Sequence, residues 1–269
     1  MSKTALVTGA ASGLGLELSL LLAKDNYNLV LIDIDATNLE NAKSEILKIN
    51  DIEIISIVKN LCDPGVSEVI FNEIKGMPID VLVNNAGFGL FGKFADTEWR
   101  REMDMLQLHV ITSTHLTKLV LTGMLERNSG KILNVSSLAG FQPGPLMSIY
   151  YASKAYMLSF SQAISNELKG TGVTATVLCP GPTKTSFQEV VSGECSKNKI
   201  TFNMACADKV AAYGYKAMIK GKEVAVPGIF NKFLSGLPRL LTRKRATSVV
   251  RKIQEKNREI PNVNQPVKA

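Results

Sequence analysis

The chain has 269 residues, of which 45% are hydrophobic and 20% are charged, and its net charge is +7. This length and composition suit one large α/β domain or two small ones with an ample apolar core. No segment is apolar over the roughly 18 residues that a membrane span requires, and the first residues lead directly into a strand-like run. These features argue against an integral membrane protein and a signal peptide, and we expect a cytoplasmic protein.

The cysteines and histidines give no sign of a disulfide framework or a metal site. The two histidines, His109 and His115, do not form a metal-binding pattern. Two of the four cysteines lie within or beside apolar runs, and their spacing is neither paired nor of metal-binding type, so we expect reduced thiols and no metal. The cysteines are Cys62, Cys179, Cys195 and Cys206.

The first segment predicts a strand at residues 4–8, a glycine-rich turn at residues 9–15 and a helix at residues 16–23. In this context the glycines allow a tight turn and a close approach of the backbone to a ligand. The free N–H groups at the helix N-terminus favour a pyrophosphate. The spacing is Gly-x-x-x-Gly-x-Gly, not the commoner Gly-x-Gly-x-x-Gly, and an ordinary strand-to-helix turn remains the alternative.

Asp33 ends the second predicted strand, at residues 28–33, and follows Gly15 by 18 residues. A carboxylate at this position can accept hydrogen bonds from the adenosine ribose hydroxyls and would repel a 2′-phosphate. No Lys or Arg lies in the glycine turn or directly after the strand. Both features favour NAD over NADP, although Asp33 could also serve as a helix cap or turn residue.

Short apolar strands and amphipathic helices then alternate as far as residue 226. This alternation predicts a doubly wound parallel sheet of about seven strands with helices on both faces, in a single domain, with ligands bound at the carboxyl ends of the strands. Residues 187–203 are expected to form an irregular, mobile flap. The helices are predicted at 38–49, 65–75, 96–126, 150–168 and 207–220, and the strands at 52–58, 79–84, 130–137, 173–179 and 223–226.

A tyrosine and a lysine stand four residues apart, at Tyr150 and Lys154, and Ser137 precedes Tyr150 by thirteen residues. On a helix, this spacing places the two side chains on one face. An ammonium group beside a phenol favours the phenolate and so allows the tyrosine to exchange protons near neutral pH. A tyrosine and a lysine with this spacing, taken alone, are usually only neighbours on a helix surface, so the other motifs decide whether they form a site.

Taken together, these residues resemble the short-chain dehydrogenase/reductase family. The resemblance rests on four motifs in the family's order and spacing and covers about residues 4 to 228, and the chain looks most like bacterial oxidoreductases of undefined substrate. It implies a Rossmann-type fold and an enzyme that acts on a CH–OH group with NAD or NADP. The motifs are Thr8-Gly-Ala-Ala-Ser-Gly-Leu-Gly15, Asn84-Asn-Ala-Gly87, Ser137 with Tyr150-x-x-x-Lys154, and Pro180-Gly181.

The resemblance also implies roles for individual residues. Tyr150 would be the general acid/base, Ser137 would hydrogen-bond the substrate oxygen, and Lys154 would lower the pKa of the tyrosine and hold the nicotinamide ribose. By analogy with the family we expect a homodimer or homotetramer. The expected cofactor-binding residues are Thr8, Gly9, Ser12, Gly13, Leu14, Gly15, Asp33, Asn60, Leu61, Asn85, Ala86, Gly87, Tyr150, Lys154, Pro180, Gly181, Thr183 and Thr185.

One position departs from the family's pattern. His109 stands in the long predicted helix where family members usually carry an asparagine, whose main-chain carbonyl holds a water that continues the proton relay from the lysine. His109 can still offer a carbonyl, so we include it among the catalytic candidates. Two alternatives remain open: an active enzyme with a modified relay, or a catalytically weak NAD-binding protein with a regulatory or membrane-associated role.

The expected substrate pocket is mostly apolar. That composition favours a small hydrophobic alcohol or carbonyl compound and argues against a polyanionic substrate in the pocket. Tyr151 is expected to pack nearby or to form part of the pocket wall. The expected pocket residues are Phe88, Phe141, Gln142, Leu146, Met147 and the flap near Phe187.

Residues 1–228 form the expected catalytic domain, and residues 229–269 form a basic, partly amphipathic C-terminal extension. Between residues 232 and 258 there are nine Lys or Arg and one acid, a local charge of +8, which leaves −1 for the rest of the chain. Such a segment could lie on an anionic membrane or could pack as a helix on the body with a solvated basic face. We expect no nucleic-acid binding, because the segment lacks aromatic interleaving and a reading motif.

Overall fold

The computed structural model describes residues 3–184, 204–239 and 241–258. Nine strands lie within these ranges: β1 (Thr4–Thr8), β2 (Asn28–Asp33), β3 (Ile54–Val58), β4 (Val81–Asn84), β5 (Gly130–Val135), β6 (Val173–Leu178), β7 (Thr183–Lys184), β8 (Ala205–Cys206) and β9 (Val224–Ala225). Seven of them pair in parallel in the order β3–β2–β1–β4–β5–β6–β9, and β7 pairs with β8 in a separate parallel ladder. The predicted seven-stranded doubly wound sheet is therefore confirmed.

Helices cover both faces of this sheet. The described helices are α1 (Gly13–Lys24), α2 (Ala36–Leu47), α3 (Val66–Glu73), α4 (Trp99–Leu106), α5 (Ser113–Glu126), α6 (Ser148–Glu167), α7 (Ala207–Ile219), α8 (Ile229–Gly236) and α9 (Arg243–Asn257). The core on one face includes apolar residues of α1, α2 and α7, and the core on the other includes apolar residues of α3, α5 and α6. This is the single-domain Rossmann-type architecture.

The strands are apolar on both sides because both sides of the sheet are buried. In β1, Ala5 and Val7 contribute to one core cluster and Leu6 contributes to the other, and all three are fully buried. Alternation of side chains along a strand sends neighbours to opposite faces, so a continuous apolar run is what a doubly covered strand requires. The short apolar runs in the sequence are explained by this arrangement.

The strand order reverses direction at β1, which lies between β2 and β4. The connections that leave the carboxyl ends of β1 and β4 therefore diverge to opposite sides and open a crevice, where doubly wound folds bind their ligands. The glycine turn follows β1, and Asn85 follows β4. Ser137 lies two residues beyond the end of β5, at the same edge.

The long helix predicted at residues 96–126 is present from Trp99 to Glu126, but it is not α-helical throughout. A π-helical turn at Gln107–Thr112 joins α4 to α5. The predicted flap at residues 187–203 lies outside the described residues. The other predicted elements are present with ends shifted by a few residues, and the largest shift is at α1, which begins at Gly13 rather than Leu16.

The C-terminal segment divides into two helices with different exposure. In α8 no residue is buried, whereas α9 buries Ala246, Val250 and Gln254 along one face. Of the two arrangements expected for this segment, α9 adopts packing on the body. No helix in the described part of the chain is long and apolar enough to cross a membrane.

Candidate active site

The glycine turn is fixed to the end of β4 by side-chain hydrogen bonds. Asn85 Nδ2 donates to the carbonyl oxygens of Thr8 and Gly9, each at 3.0 Å. The hydroxyl of Thr8 donates to the Val83 carbonyl at 3.2 Å and accepts the backbone N–H of Asn85 at 3.0 Å. Gly9 has a φ of +66°, a conformation that favours glycine. The turn is thus held in one shape across two neighbouring strands.

Gly15, in the first turn of α1, packs directly against this glycine turn. A Cβ atom at Gly15 would lie 1.9 Å from the Gly9 carbonyl oxygen and 2.7 Å from Asn85 Nδ2. Only glycine therefore allows α1 to approach the turn so closely. Neither Thr8 nor Gly15 lines the cavity described below, and the structure places both directly behind the turn.

A cavity of about 680 Å³ begins at this turn and extends along the sheet edge. It brings together most of the predicted site residues, while Thr185 lies outside the described part of the chain. The predicted residues that line it are Gly9, Ser12, Gly13, Leu14, Asp33, Asn60, Leu61, Asn85, Ala86, Gly87, Ser137, Tyr150, Lys154, Pro180, Gly181 and Thr183. We call the part formed by residues 9–14, Asp33 and residues 60–61 the glycine-turn end of the cavity.

Asp33 is oriented by two backbone donors at the glycine-turn end. Its Oδ2 accepts the N–H of Ala11 at 2.9 Å and its Oδ1 accepts the N–H of Asp35 at 3.1 Å. Lys59 also lines the cavity, and its Nζ lies 2.8 Å from Glu73 Oε1. This cation follows β3, the strand paired with β2. It was not anticipated from the sequence, where only the glycine turn and the residues directly after β2 were searched for Lys or Arg.

Ser137, Tyr150 and Lys154 converge on one wall of the cavity. Tyr150 and Lys154 lie in α6 and are 9% and 6% exposed. Lys154 Nζ lies 5.8 Å from the centre of the Tyr150 ring and donates to the Val135 carbonyl at 3.0 Å. The hydroxyl of Ser137 accepts the N–H of Ala139 at 3.1 Å. The predicted triad is therefore assembled in space, with Lys154 held by the end of β5.

Burial sets the protonation of these groups. Burial raises the pKa of Tyr150 to about 12, and the hydrogen bond with Ser137 and the positive charge of Arg258 act in the opposite direction. Burial lowers the pKa of Lys154 to about 8. Arg258, a residue that was not assigned to the site from the sequence, thus supplies a positive charge that favours the Tyr150 phenolate.

His109 lies in the π-helical turn and is 2% exposed. The backbone N–H of Phe88 donates to its Nε2 at 3.2 Å, so the other ring nitrogen, Nδ1, carries the proton of the neutral imidazole. Nδ1 lies 2.9 Å from Ser153 Oγ, which donates to the Tyr150 carbonyl at 2.9 Å. His109 does not line the cavity. It connects the segment after β4 to the helix that carries Tyr150.

The environment keeps His109 neutral. Burial lowers its pKa well below the ordinary value, and the charge of Lys154 acts in the same direction. A π-helical turn inside an α-helix is often found at functional sites. Here the turn carries the side chain that ties Phe88 to Ser153.

A buried polar network under the site was also missed from the sequence. Asn84 Nδ2 donates to Thr117 Oγ1 and to Asn134 Oδ1, both at 2.9 Å, and Asn134 Nδ2 donates to Ser161 Oγ at 2.9 Å. These residues connect β4 and β5 to α5 and α6. The only sequence signal for this network is the presence of asparagines in predicted strands. Asparagine is also common in turns, so this signal did not indicate a buried network.

The other end of the cavity is formed in part by the C-terminus of α9. Gln254 Nε2 donates to the Tyr151 hydroxyl at 2.7 Å, and the Arg258 guanidinium contacts Gln254 Oε1 and lies 3.6 Å from Met147 Sδ. We call this part the α9 end of the cavity. Its lining residues are Met147, Tyr151, Ile253, Gln254, Asn257 and Arg258.

The predicted substrate pocket is therefore only partly correct. Phe88, Gln142 and Met147 line the cavity, and Tyr151 forms part of its wall, whereas Phe141 and Leu146 do not line it. The expectation of a pocket without strong charge is wrong, because two arginines line the cavity. Arg101 stacks over the Phe88 ring, with Cζ 4.6 Å from the ring centre, and Arg258 lies over the Phe91 ring at 5.4 Å.

The residues at the glycine-turn end fit a nicotinamide dinucleotide. The N-terminus of α1 opens onto the cavity through Ser12, Gly13 and Leu14, where free N–H groups favour a pyrophosphate. The oriented carboxylate of Asp33 can accept hydrogen bonds from ribose hydroxyls. The cavity volume lies within the range of small-molecule sites.

Comparison with known proteins agrees with these features. The family model described as short chain dehydrogenase matches residues 3–195. The ketoacyl reductase HetN of Nostoc sp. is 35% identical over 181 residues, which are 66% of this chain and 63% of that protein. The very-long-chain 3-oxoacyl-CoA reductase of Anas platyrhynchos is 34% identical over 194 residues, 69% of this chain and 61% of that protein. The matched region thus spans less than two thirds of each of these curated relatives.

Solved structures share the fold. A short-chain dehydrogenase from Sphingobium yanoikuyae, solved in complex with NADPH, superposes with a TM-score of 0.78 at 22% identity over 92% of this chain and 99% of that one. The family model covers well over half of the chain, and the sheet order and the site motifs agree with it. The chain belongs to the short-chain dehydrogenase/reductase family of oxidoreductases.

Proposed function

We propose that the protein is an NAD(P)-dependent oxidoreductase that interconverts an alcohol and a ketone or aldehyde. The observation that carries the proposal is the convergence of Ser137, Tyr150 and Lys154 on a cavity that is continuous with the glycine turn. When bound, the nicotinamide would donate or accept the hydride. The chain itself supplies binding, orientation and proton transfer.

Tyr150 would exchange the proton with the substrate oxygen. Ser137 would hold that oxygen by a hydrogen bond. Lys154 would hold the nicotinamide ribose and would favour the phenolate when the cofactor is bound. The pKa of Tyr150 must fall from about 12 for exchange near neutral pH. An ammonium or guanidinium nearby acts in that direction, because an opposite charge favours the ionised phenol.

The preferred cofactor in this proposal is NAD. The fixed carboxylate of Asp33 supports this preference, since it would repel a 2′-phosphate. Lys59 is the feature that could favour NADP, and its ion pair with Glu73 reduces its availability. Measuring kcat/KM with both cofactors for Asp33→Ala tests the proposal: we expect at least about a tenfold shift of the NADP/NAD ratio towards NADP. An unchanged ratio would remove Asp33 as the discriminating residue.

The proposed substrates carry an apolar body. Phe88, Leu108, Met147 and Ile253 provide apolar lining. The names of similar proteins, among them ketoacyl and 3-oxoacyl-CoA reductases and a 17-beta-hydroxysteroid dehydrogenase of Mus musculus, also refer to substrates with a carbonyl or hydroxyl group on an apolar skeleton. A screen of hydrophobic alcohols and ketones with both cofactors is the direct way to find the reaction.

Tyr150→Phe distinguishes the enzyme from a catalytically weak NAD-binding protein. For the enzyme, loss of the hydroxyl should lower kcat by roughly 10² to 10⁴ while the cofactor dissociation constant changes little. Tyr156→Phe is a suitable control, because Tyr156 lies on the exposed side of α6. If wild type and Tyr150→Phe turn over every substrate of the screen equally slowly, the binding-protein alternative is favoured.

We also propose a cytoplasmic homodimer or homotetramer that contacts anionic membranes peripherally through α8. Three apolar residues of this helix, Ile229, Phe230 and Phe233, are 88%, 64% and 64% exposed. Light scattering tests the assembly. Sedimentation with anionic liposomes tests the contact, and equal binding by wild type and a Phe230→Ser/Phe233→Ser variant would exclude it.

A further inference from the structure

The reaction proposed above assigns no ligand-binding role to the buried arginine at the α9 end of the cavity. Arg258 is 6% exposed and follows the last residue of α9. It also lines the same cavity as Tyr150. Burying a guanidinium is costly unless hydrogen-bonding partners compensate it. A guanidinium that is buried in the wall of this cavity is placed to bind a ligand that enters it.

The surroundings of Arg258 orient its guanidinium group. Its Nη1 contacts Gln254 Oε1 and Met147 Sδ, and its Cζ lies 5.4 Å from the centre of the Phe91 ring. Gln254, itself 6% exposed, is fixed in turn by its hydrogen bond to the Tyr151 hydroxyl. An aromatic face, a thioether and an oriented amide thus hold the group at the cavity wall.

Arg258 and the reacting group, Tyr150, line one continuous cavity, so a single substrate molecule can contact both. The positive charge of Arg258 opposes the effect of burial on the pKa of Tyr150. The second cavity arginine, Arg101, stacks over the Phe88 ring, whereas Arg258 lies over the Phe91 ring beside Met147 and Gln254. The two arginines therefore occupy different places in the cavity wall, and Arg258 is the one at the α9 end.

The planar fork of a guanidinium matches the two oxygens of a carboxylate, and such charge-assisted pairs are stronger than neutral hydrogen bonds. We propose that Arg258, oriented by Gln254, binds a carboxylate of the substrate. The substrate class is then an oxo acid or hydroxy acid with an apolar skeleton. This inference rests on the proposed oxidoreductase function and narrows its substrate.

The first test compares medium-chain oxo acids, with the keto group at successive positions, with their methyl esters. Wild type should reduce the best acid with a kcat/KM at least about tenfold above its ester. Arg258→Met should lose this preference, and Arg258→Lys should retain part of it. Lys252→Met is the matched control, since Lys252 is an exposed basic residue of the same helix, and it should behave as wild type.

The second test does not depend on turnover. Titration calorimetry should show decanoate binding to wild type at least about tenfold more tightly than methyl decanoate, with the difference lost in Arg258→Met and kept in Lys252→Met. Near-equal affinities, or a preference that survives Arg258→Met, would overturn the carboxylate site. A protein that reduces esters and acids equally keeps its oxidoreductase function without this site. Decanoate binding without reduction of any ketone would support the site and overturn the proposed function.

Discussion

The glycine-turn end and the α9 end of the cavity are built in different ways. At the glycine-turn end, the lining residues lie directly after β1, at the last residue of β2 and just after β3. At the α9 end, Tyr151 of α6 meets Gln254 across 103 positions of the chain. The first end is specified by backbone conformation and the second by side chains that meet only after the helices have packed.

This difference teaches which changes the molecule should tolerate. A turn whose atoms already touch on every side cannot accept an added methyl group. A helix that docks through a few side chains can be displaced while the sheet remains intact. Changes at the glycine-turn end should therefore affect cofactor binding and stability together, whereas changes in α9 should affect only the binding and turnover of the substrate.

The largest effect is expected for Gly15→Ala. The new Cβ would lie 1.9 Å from the Gly9 carbonyl oxygen, so the turn must move. We expect a loss of roughly 1–3 kcal/mol in the free energy of unfolding, measured by urea denaturation, together with loss of detectable cofactor binding. Gly236→Ala is the control, because a Cβ there meets no atom within 4 Å. Normal cofactor affinity in Gly15→Ala would show that the turn is not rigid.

Val250→Asp is expected to separate the two ends. Val250 is 4% exposed and buries one face of α9, so a carboxylate there should undock the helix. We expect kcat/KM for the ketone to fall by about tenfold to a hundredfold while the cofactor dissociation constant stays within about twofold. Val249→Asp is a matched control at a 49% exposed position of the same helix. A parallel loss of cofactor affinity would break the proposed separation of the two ends.

A smaller effect concerns pH and Lys154, which lies between the two ends. Its pKa is about 8 in the fold against an ordinary value of 10.5, so between these values the unfolded chain binds more protons and stability rises with pH. The free energy of unfolding of wild type minus that of Lys154→Met should therefore increase by about 1 kcal/mol per pH unit above pH 8.

Taking this difference removes the contributions of buried groups that Lys154 does not influence, such as Tyr151, whose pKa is also raised by burial. Denaturant titrations of the two cofactor-free proteins at several pH values give the measurement. A difference that stays constant or decreases with pH would contradict the lowered pKa of Lys154.

The smallest effect is expected for His109→Asn. The shorter side chain cannot bridge Phe88 and Ser153, so single-turnover rates should fall by about threefold to tenfold. The factor should be the same from about pH 6 to about pH 9, because burial keeps the pKa of His109 well below its ordinary value. His115→Asn, at a partly exposed position, serves as the control. Unchanged rates at every pH would leave His109 without a special role.

Much of the fold and of the glycine-turn end could be predicted because the signals are local. The apolar run at residues 28–33 and the position of Asp33 at its end follow from a few neighbouring residues, and the structure places both as expected. Spacing alone also placed Tyr150 and Lys154 on one face of α6. Local sequence patterns decide such features, because backbone geometry converts spacing directly into position.

The remaining features depend on contacts between distant segments. The sequence of residues 243–258 is typical of a basic amphipathic helix, and nothing in it indicates that Arg258 turns inward while Lys252 stays exposed. The π-helical turn at residues 107–112 was likewise hidden, since the apolar spacing on either side predicts one continuous helix. Tertiary packing decides both, and a single sequence does not report it.

The use of α9 in the cavity wall also has a consequence for the order in which the molecule is completed during synthesis. The segments that form the glycine-turn end are all translated before residue 90. Ile253, Gln254 and Arg258 are translated more than a hundred residues after Tyr151, which shares the α9 end with them. A nascent chain could therefore acquire the nucleotide-binding half before it can discriminate between substrates. In this order of synthesis, substrate discrimination through α9 would follow nucleotide binding.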